Sequence, residues 1–92
     1  MIKVIRHKGL RAFFETESTG KINPAHARKL KLILAMLKNA EKPEDLRKPG
    51  LKLHALHGNL SGFWAITVDG NWRVIFRFEG GDATDVDYLD YH

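Results

Sequence analysis

The 92-residue chain contains no cysteine. This absence excludes disulfides, thiol catalysis and zinc sites built on cysteine, and it fits a reducing compartment. No apolar run reaches the roughly 18 residues of a membrane-spanning helix, because Lys31 interrupts the longest apolar cluster, at residues 30–37. The N-terminus also lacks the apolar stretch of a secretory signal. We therefore expect a cytoplasmic protein that has no membrane partner.

Acidic side chains are in the minority. The chain has 15 Lys and Arg against 11 Asp and Glu, a net charge of +4, and a pI of about 9.6. Most of the cations precede residue 58, whereas residues 79–90 hold a run of carboxylates. A basic body is typical of proteins that bind a polyanion, usually nucleic acid. Charge alone leaves open the alternative that the chain is simply a soluble basic domain.

The strongest local pattern is FWAITVDGNWRVIFRF at residues 63–78, two alternating runs joined at Asp69-Gly70. Asp-Gly favours a type I′ hairpin turn, because that turn needs positive φ at both central residues. A turn of these two residues would pair Ile66 with Arg73. It would also give the hairpin an apolar face, which we expect the helices to cover. This face would carry Phe63, Ala65, Thr67, Trp72, Val74, Phe76 and Phe78. The opposite face would meet an anionic ligand and would carry Trp64, Ile66, Arg73, Ile75 and Arg77.

The rest of the chain predicts two helices and three more strands. Residues 2–6 alternate as a short strand, and apolar spacing of 3–4 residues predicts a helix over residues 9–17. Asn23 suits a helix cap and Pro24 a first helical position, so a second helix begins there and ends near Asn39. A linker at residues 41–50, with room for one helical turn at 44–47, leads to strands at 51–56 and 84–91.

The predicted order is therefore β-α-α-β-β-β-β, in one α+β domain over residues 1–92. Strands joined by short connections pair antiparallel. The two N-terminal helices must pack on one face of the sheet, since neither layer can bury its apolar side alone. A last strand beside the hairpin would bring residues 90–92 to the face that carries Arg73.

The β half contains side chains suited to cleaving RNA. Transesterification needs a base for the 2′-OH, an acid for the leaving 5′ oxygen and a cation for the phosphorane, with no metal or cofactor. Histidine suits both proton steps and arginine suits phosphate. The candidates are His54, His57, His92, Arg73, Asp90 and Tyr91. Each has a simpler interpretation, as a half-buried, exposed or chain-terminal residue. A zinc site from His54, His57, Asp90 and His92 is an alternative that their irregular spacing disfavours.

Three segments carry a wider resemblance: MIKVIRHKGLRAFF at the start, LKLHALHGNLSGFWAITVDGNWRVIFRF in the middle and DYH at the end. Together they resemble the HigB toxins of the RelE superfamily, the killer-protein branch of toxin–antitoxin systems. The resemblance implies a RelE-like fold and a ribosome-dependent mRNA endonuclease that acts on codons in the A site. It also implies a HigA-like antitoxin with a helix-turn-helix domain, through which alone the toxin would meet operator DNA.

By motif position, the resemblance places the family's functional residues on His54 of LHAL, Arg73 of NWR, and Asp90, Tyr91 and His92 of the terminal DYH. In the resulting hypothesis Arg73 holds the scissile phosphate, while His54 and His92 share the proton transfers. Asp90 orients a histidine, and Tyr91 stacks on a base or donates its hydroxyl.

His57 stands where relatives often carry lysine. An imidazole is only partly charged near neutral pH, so His57 suits acid or base chemistry better than permanent phosphate stabilisation.

Further contacts to ribosomal RNA are expected from cations on the second helix, on the linker and at the start of the strand that follows it. They are Arg28, Lys29, Lys31, Lys48 and Lys52. This expectation rests on charge alone. Two other functions remain as alternatives at this stage, a non-catalytic module of the same fold that binds RNA or an antitoxin, and a metal-dependent hydrolase.

Overall fold

The computed structural model describes residues 1–91, in which two helices precede a four-stranded sheet. Helix α1 spans Lys8–Thr16, and its first turn is capped by His7, whose Nδ1 accepts a hydrogen bond from the Leu10 amide at 3.0 Å. Helix α2 spans Ala27–Asn39 and follows a 3₁₀ turn at Pro24–His26. Asn23 caps that turn, as its position before proline predicts.

The sheet is antiparallel, with strand order β1-β2-β3-β4. Its strands are β1 (His54–Ala55), β2 (Trp64–Asp69), β3 (Trp72–Glu79) and β4 (Asp82–Asp90). Both helices pack on one face of it, which confirms the predicted architecture. The core between the layers includes Leu10, Phe13, Leu30, Ile33, Leu34, Leu37, Ile66, Val68, Val74, Phe76, Val86 and Tyr88. None of the helices within residues 1–91 is long and apolar enough to cross a membrane.

The predicted hairpin is present, but its turn is displaced by one residue. The turn residues are Gly70 and Asn71, and Asp69 pairs with Trp72. Gly70 supplies a φ of +52°, which a tight hairpin turn needs at its first central position. Between the pairs Thr67–Arg73 and Asp69–Trp72 the β2 strand holds one extra residue, which forms a β-bulge.

The bulge exchanges the two faces of β2 relative to the prediction. Ile66 pairs with Val74 rather than Arg73, so Trp64, Ile66 and Val68 lie on the helix side. Ala65 pairs with Ile75 and lies on the opposite side. The faces predicted for β3 are correct, and those predicted for β2 are wrong. A slip of one residue inverts every side chain of a strand, because side chains alternate with a period of two.

The two outer segments are less regular than predicted. The N-terminal strand is reduced to isolated parallel bridges, Ile2 with Ala83 and Ile5 with Val86, along the free edge of β4. The strand predicted over residues 51–56 shrinks to His54–Ala55, because Lys52 adopts a φ of +52°, which breaks the extended backbone. Leu51 still accepts a backbone hydrogen bond from Thr67.

Candidate active site

The sheet face turned away from the helices, here called the open face, carries several of the predicted site residues. Directly paired residues of antiparallel strands point to the same side. One row across the sheet is therefore His54, Ala65, Ile75 and Asp87, and the next is Thr67, Arg73 and Leu89. Ala65 and Ile75 are buried and give the face an apolar floor. His54 and Arg73 thus share one face, on strands β1 and β3.

His54 is exposed and its ring is fixed by the backbone. Its Nδ1 lies 2.9 Å from the carbonyl oxygen of Lys52. Because a carbonyl oxygen only accepts, Nδ1 carries the proton, and in the neutral ring Nε2 then holds the free lone pair. The unusual backbone of Lys52 brings this carbonyl within reach. The arrangement leaves His54 Nε2 able to accept a proton on the open face.

Arg73 is half-buried near the beginning of β3. Its Nη1 donates to the carbonyl oxygens of Gly70 at 2.6 Å and Trp72 at 3.0 Å. These contacts orient the guanidinium without neutralising it. Within residues 1–91 no carboxylate forms an ion pair with Arg73. Its remaining N–H groups suit an anion such as phosphate.

Arg77, the second arginine on this face, is neutralised. Its Nε lies 2.6 Å from Asp85 and its Nη2 lies 3.3 Å from Glu79. The hydrogen bond from Arg77, followed by the charge of Arg6, holds the pKa of Asp85 below its usual value, and Asp85 in turn raises the pKa of Arg77. A β-bulge with Asp85 at a φ of +51° brings that carboxylate to the arginine. Arg77 therefore stabilises the sheet, and of the two arginines predicted to meet an anionic ligand it is the one already paired with carboxylates.

The end of β4 lies beside the hairpin turn. The Tyr91 amide donates to the carbonyl oxygen of Asn71 at 2.8 Å, two residues from Arg73. Asp90, however, pairs with Trp72, which packs against the core. The prediction that Asp90 shares the face of Arg73 is therefore wrong, since β4 alternates and Leu89 occupies that position. His92 lies outside the described residues.

His57 is exposed and precedes the 3₁₀ turn at Gly58–Leu60, outside the rows of the sheet. It lies three residues after His54 in the sequence, and within residues 1–91 the two imidazole rings are not in contact. As far as the chain is described, no three His, Asp or Glu side chains are grouped as metal ligands.

The predicted RNA-binding cations fall into two groups. Arg28 and Lys29 line a groove of about 610 Å³ together with Leu32 and residues 49–51, and Lys29 Nζ donates to the Gly50 carbonyl at 3.1 Å. Leu32 is 54% exposed there. Lys48 and Lys52, both exposed, flank residues 49–51 in sequence. We name these features the cationic groove.

Lys31 belongs elsewhere. It pairs with Glu17 at 3.1 Å and lines a separate groove of about 450 Å³ between α1 and α2. The structure thus separates Lys31 from the four other cations.

Sequence reasoning missed a buried histidine next to the site. His26 is 2% exposed, and its Nδ1 lies 2.6 Å from the Tyr88 hydroxyl. Tyr88 stacks on Trp72 with ring centroids 4.6 Å apart. Burial raises the pKa of the Tyr88 hydroxyl. The available signal was spacing, because His26 precedes Leu30 by four residues and so continues the buried stripe of α2.

Comparison with known proteins gives a consistent result. The family described as "RelE-like toxin of type II toxin-antitoxin system HigB" matches residues 3–92. The protein named "Endoribonuclease HigB" from Proteus vulgaris is 38% identical over 92 residues, which is 100% of both chains. "Toxin HigB-1" from Vibrio cholerae serotype O1 is 34% identical over 93 residues, covering 95% of this chain and 93% of the relative.

Proposed function

This chain belongs to the RelE-like HigB toxins of type II toxin–antitoxin systems, and on that premise we propose that it is a ribosome-dependent endoribonuclease that cuts mRNA codons in the A site. The observation that carries the proposal is the pair formed by Arg73 and His54. An arginine without a carboxylate partner in the described chain shares the open face with a histidine whose Nε2 can accept a proton. A full-length relative bears the name endoribonuclease.

The proposed reaction is metal-independent transesterification. A histidine removes the proton of the ribose 2′-OH, the 2′ oxygen bonds to phosphorus, and the bond from phosphorus to the 5′ oxygen breaks. A second group, acting as a general acid, protonates the leaving 5′ oxygen. Arg73 holds the phosphate, because its guanidinium stabilises the charge that grows on the phosphorane. The product ends are a 2′,3′-cyclic phosphate and a 5′-OH.

His54 takes the first proton in this scheme, because the Lys52 carbonyl fixes the tautomer whose Nε2 is basic. β1 and β3 lie about 10 Å apart across the sheet, twice the spacing of about 4.8 Å between neighbouring strands. His54 and Arg73 also lie in neighbouring rows, so a phosphodiester can lie between the two side chains where both extend towards it, above the floor of Ala65 and Ile75.

The C-terminal residues complete the proposal. His92 is the second proton-transfer group, Tyr91 stacks on a base or donates its hydroxyl, and Asp90 orients a histidine. Support for the place of Tyr91 near Arg73 is the hydrogen bond between the Tyr91 amide and the Asn71 carbonyl, whereas Asp90 would act from the other face of β4. His57 is a supplementary acid or base on the edge of the same face.

The proposed partners follow from membership of the family. A type II toxin implies an antitoxin, and we propose a HigA-like protein with a helix-turn-helix domain, which carries the complex to operator DNA. The ribosome and mRNA are the proposed cellular targets, in the cytoplasm. The cationic groove, with Arg28, Lys29, Lys48 and Lys52, is the proposed surface for ribosomal RNA, since none of these four cations lies within ion-pair distance of a carboxylate in residues 1–91.

The proposal is tested with purified protein and a defined mRNA in a translating extract. The expected result is cleavage within codons with 2′,3′-cyclic phosphate ends, which stops when initiation is blocked. Deletion of His92 should slow cleavage, because it removes a proton-transfer group. Cleavage that proceeds equally on naked mRNA contradicts ribosome dependence, and binding of the ribosome without any cuts favours a non-catalytic module.

A further inference from the structure

We propose that His26, buried on the opposite side of the sheet, is a positioning residue that holds the Arg73 turn and the end of β4 in register for RNA cleavage. The proposal rests on the function proposed above, since it concerns the placement of Arg73 and the C-terminal residues. His26 does not reach the open face. It acts through three neighbours: Trp72 directly precedes Arg73, Asp69 directly precedes the turn residue Gly70, and Tyr88 is two residues from Asp90.

The contact to Tyr88 fixes β4. His26 Nδ1 lies 2.6 Å from the Tyr88 hydroxyl, a short distance for a hydrogen bond. The Asp69 carboxylate near Nε2 can only accept, so in the neutral ring Nε2 carries the proton and Nδ1 accepts from the Tyr88 O–H. Tyr88 is two residues from Asp90, the last residue of β4. This bond therefore anchors the end of β4 to the beginning of α2.

The contacts to Asp69 and Trp72 fix the hairpin turn. His26 Nε2 lies 3.4 Å from Asp69 Oδ2, and its ring meets Trp72 edge to face at 5.4 Å. Asp69 reaches the histidine because the bulge in β2 turns it towards the helix side. Gly70, whose carbonyl oxygen accepts from Arg73, follows Asp69 directly. One imidazole therefore touches the residues immediately before and after the Gly70-Asn71 turn.

If position 26 served packing alone, an apolar side chain would fill it without the free-energy cost of burying a polar group. The neighbouring residues of the α2 stripe, Leu30, Ile33 and Leu37, are all fully buried aliphatic side chains. A buried polar side chain stabilises a structure only when its partners are in place, so it favours one arrangement over others. Here the favoured arrangement is the displaced turn, in which the Asn71 carbonyl meets the Tyr91 amide two residues from Arg73.

The test compares His26→Leu with Leu30→Ala, a core substitution one turn further along the same helix. Both should lower Tm, but only His26→Leu should slow mRNA cleavage per folded molecule, by about 10- to 100-fold, since small displacements of catalytic groups have effects of this size. The loss should fall on the maximal rate, with the ribosome concentration at half-maximal rate unchanged. His26→Gln should recover part of the rate, because its amide reaches as far as Nε2 towards Asp69.

A second readout is independent of catalysis. Hydrogen exchange of the Tyr91 amide, which donates to Asn71, should accelerate in His26→Leu and stay slow in Leu30→Ala. If His26→Leu does not fold, Tyr88→Phe serves in its place, because it keeps the ring on Trp72 and removes only the hydroxyl.

The outcomes separate the two proposals. Cleavage and Tyr91 exchange that respond equally to His26→Leu and Leu30→Ala overturn the positioning role. An Arg73→Ala variant that cleaves as fast as the wild type contradicts the proposed function instead, and the exchange measurement still decides whether His26 holds the turn.

Discussion

Two arginines on strand β3 have the same charge, lie on the same face and are four residues apart, yet their surroundings differ. Arg77 contacts Asp85 and Glu79, with Arg6 on the other side of Asp85. Within residues 1–91 the guanidinium of Arg73 hydrogen-bonds only to two carbonyl oxygens. A carboxylate compensates the charge, whereas a carbonyl orients it and leaves it available for an anion. The difference teaches that the partner of a cation, more than its charge, indicates whether it binds a ligand.

The largest effect is expected from removing the base proposed beside Arg73. His54→Ala should slow cleavage of translated mRNA by about 10²- to 10⁴-fold, the usual contribution of general acid–base catalysis. His54→Asn keeps a donor for the Lys52 carbonyl but provides no base, so it should be equally slow. The measurement is the single-turnover cleavage rate on programmed ribosomes.

His57→Ala is the matched control for this prediction, because His57 is an exposed histidine close in sequence but outside the rows of the sheet. It should lose less activity than His54→Ala, because His57 is only a supplementary acid or base in the proposed reaction. A larger loss of activity in His57→Ala than in His54→Ala would show that His57, and not His54, is the general base.

The second prediction breaks the ion pair of the other arginine. Asp85→Asn leaves Arg77 without its main partner while asparagine tolerates the φ of +51°. We expect a lower Tm and near-normal cleavage per folded molecule, because a structural cation has been freed and the catalytic one is untouched. Faster cleavage, or cleavage at other positions in the mRNA, would show that Arg77 also binds RNA once its carboxylate partner is removed.

The pH dependence of this effect follows from the lowered pKa of Asp85. A carboxyl whose pKa is lower in the folded state stabilises the protein above its unfolded pKa and loses that contribution as pH falls through the folded value. The Tm difference between wild type and Asp85→Asn should therefore be full near neutral pH and shrink below the usual pKa of 3.8. Thermal denaturation across an acid series measures it.

The smallest effect is expected in the cationic groove. Replacing Arg28 and Lys29 by alanine should weaken ribosome binding and reduce its salt dependence, by roughly 0.7 in the slope of log K against log salt for each RNA phosphate that the variant no longer neutralises. Lys31→Ala is the control, because Glu17 already balances its charge. An equal change of slope in the control would mean that the two groups of cations act alike.

The sequence predicts the parts of this fold that depend on local signals. The Asn23-Pro24 cap, the stripe of α2 and the position of the hairpin are all present. The bulge at the end of β2 could not be predicted, because Asp-Gly also suits a two-residue turn and only the packed core decides between the two registers. That choice determines which side of the sheet Ala65 and Ile66 occupy.

The candidate site was predictable as a set of residues and less so as an arrangement. The LHAL and NWR motifs lead to His54 and Arg73, which do share a face. The neutralisation of Arg77 depends on a second bulge, at Asp85, whose backbone no sequence signal indicates. The role proposed for His26 depends on contacts with residues more than forty positions away along the chain, so the sequence indicated only its place on the α2 stripe.

The most direct test of the account is the cleavage rate of Arg73→Ala beside that of Arg77→Ala, each corrected for its folded fraction on the same programmed ribosomes. We predict a loss of about 10²- to 10³-fold for Arg73→Ala, the effect of removing one donor to a developing charge, and a rate close to wild type for Arg77→Ala. Equal losses in the two variants would contradict the assignment of the RNA phosphate to Arg73.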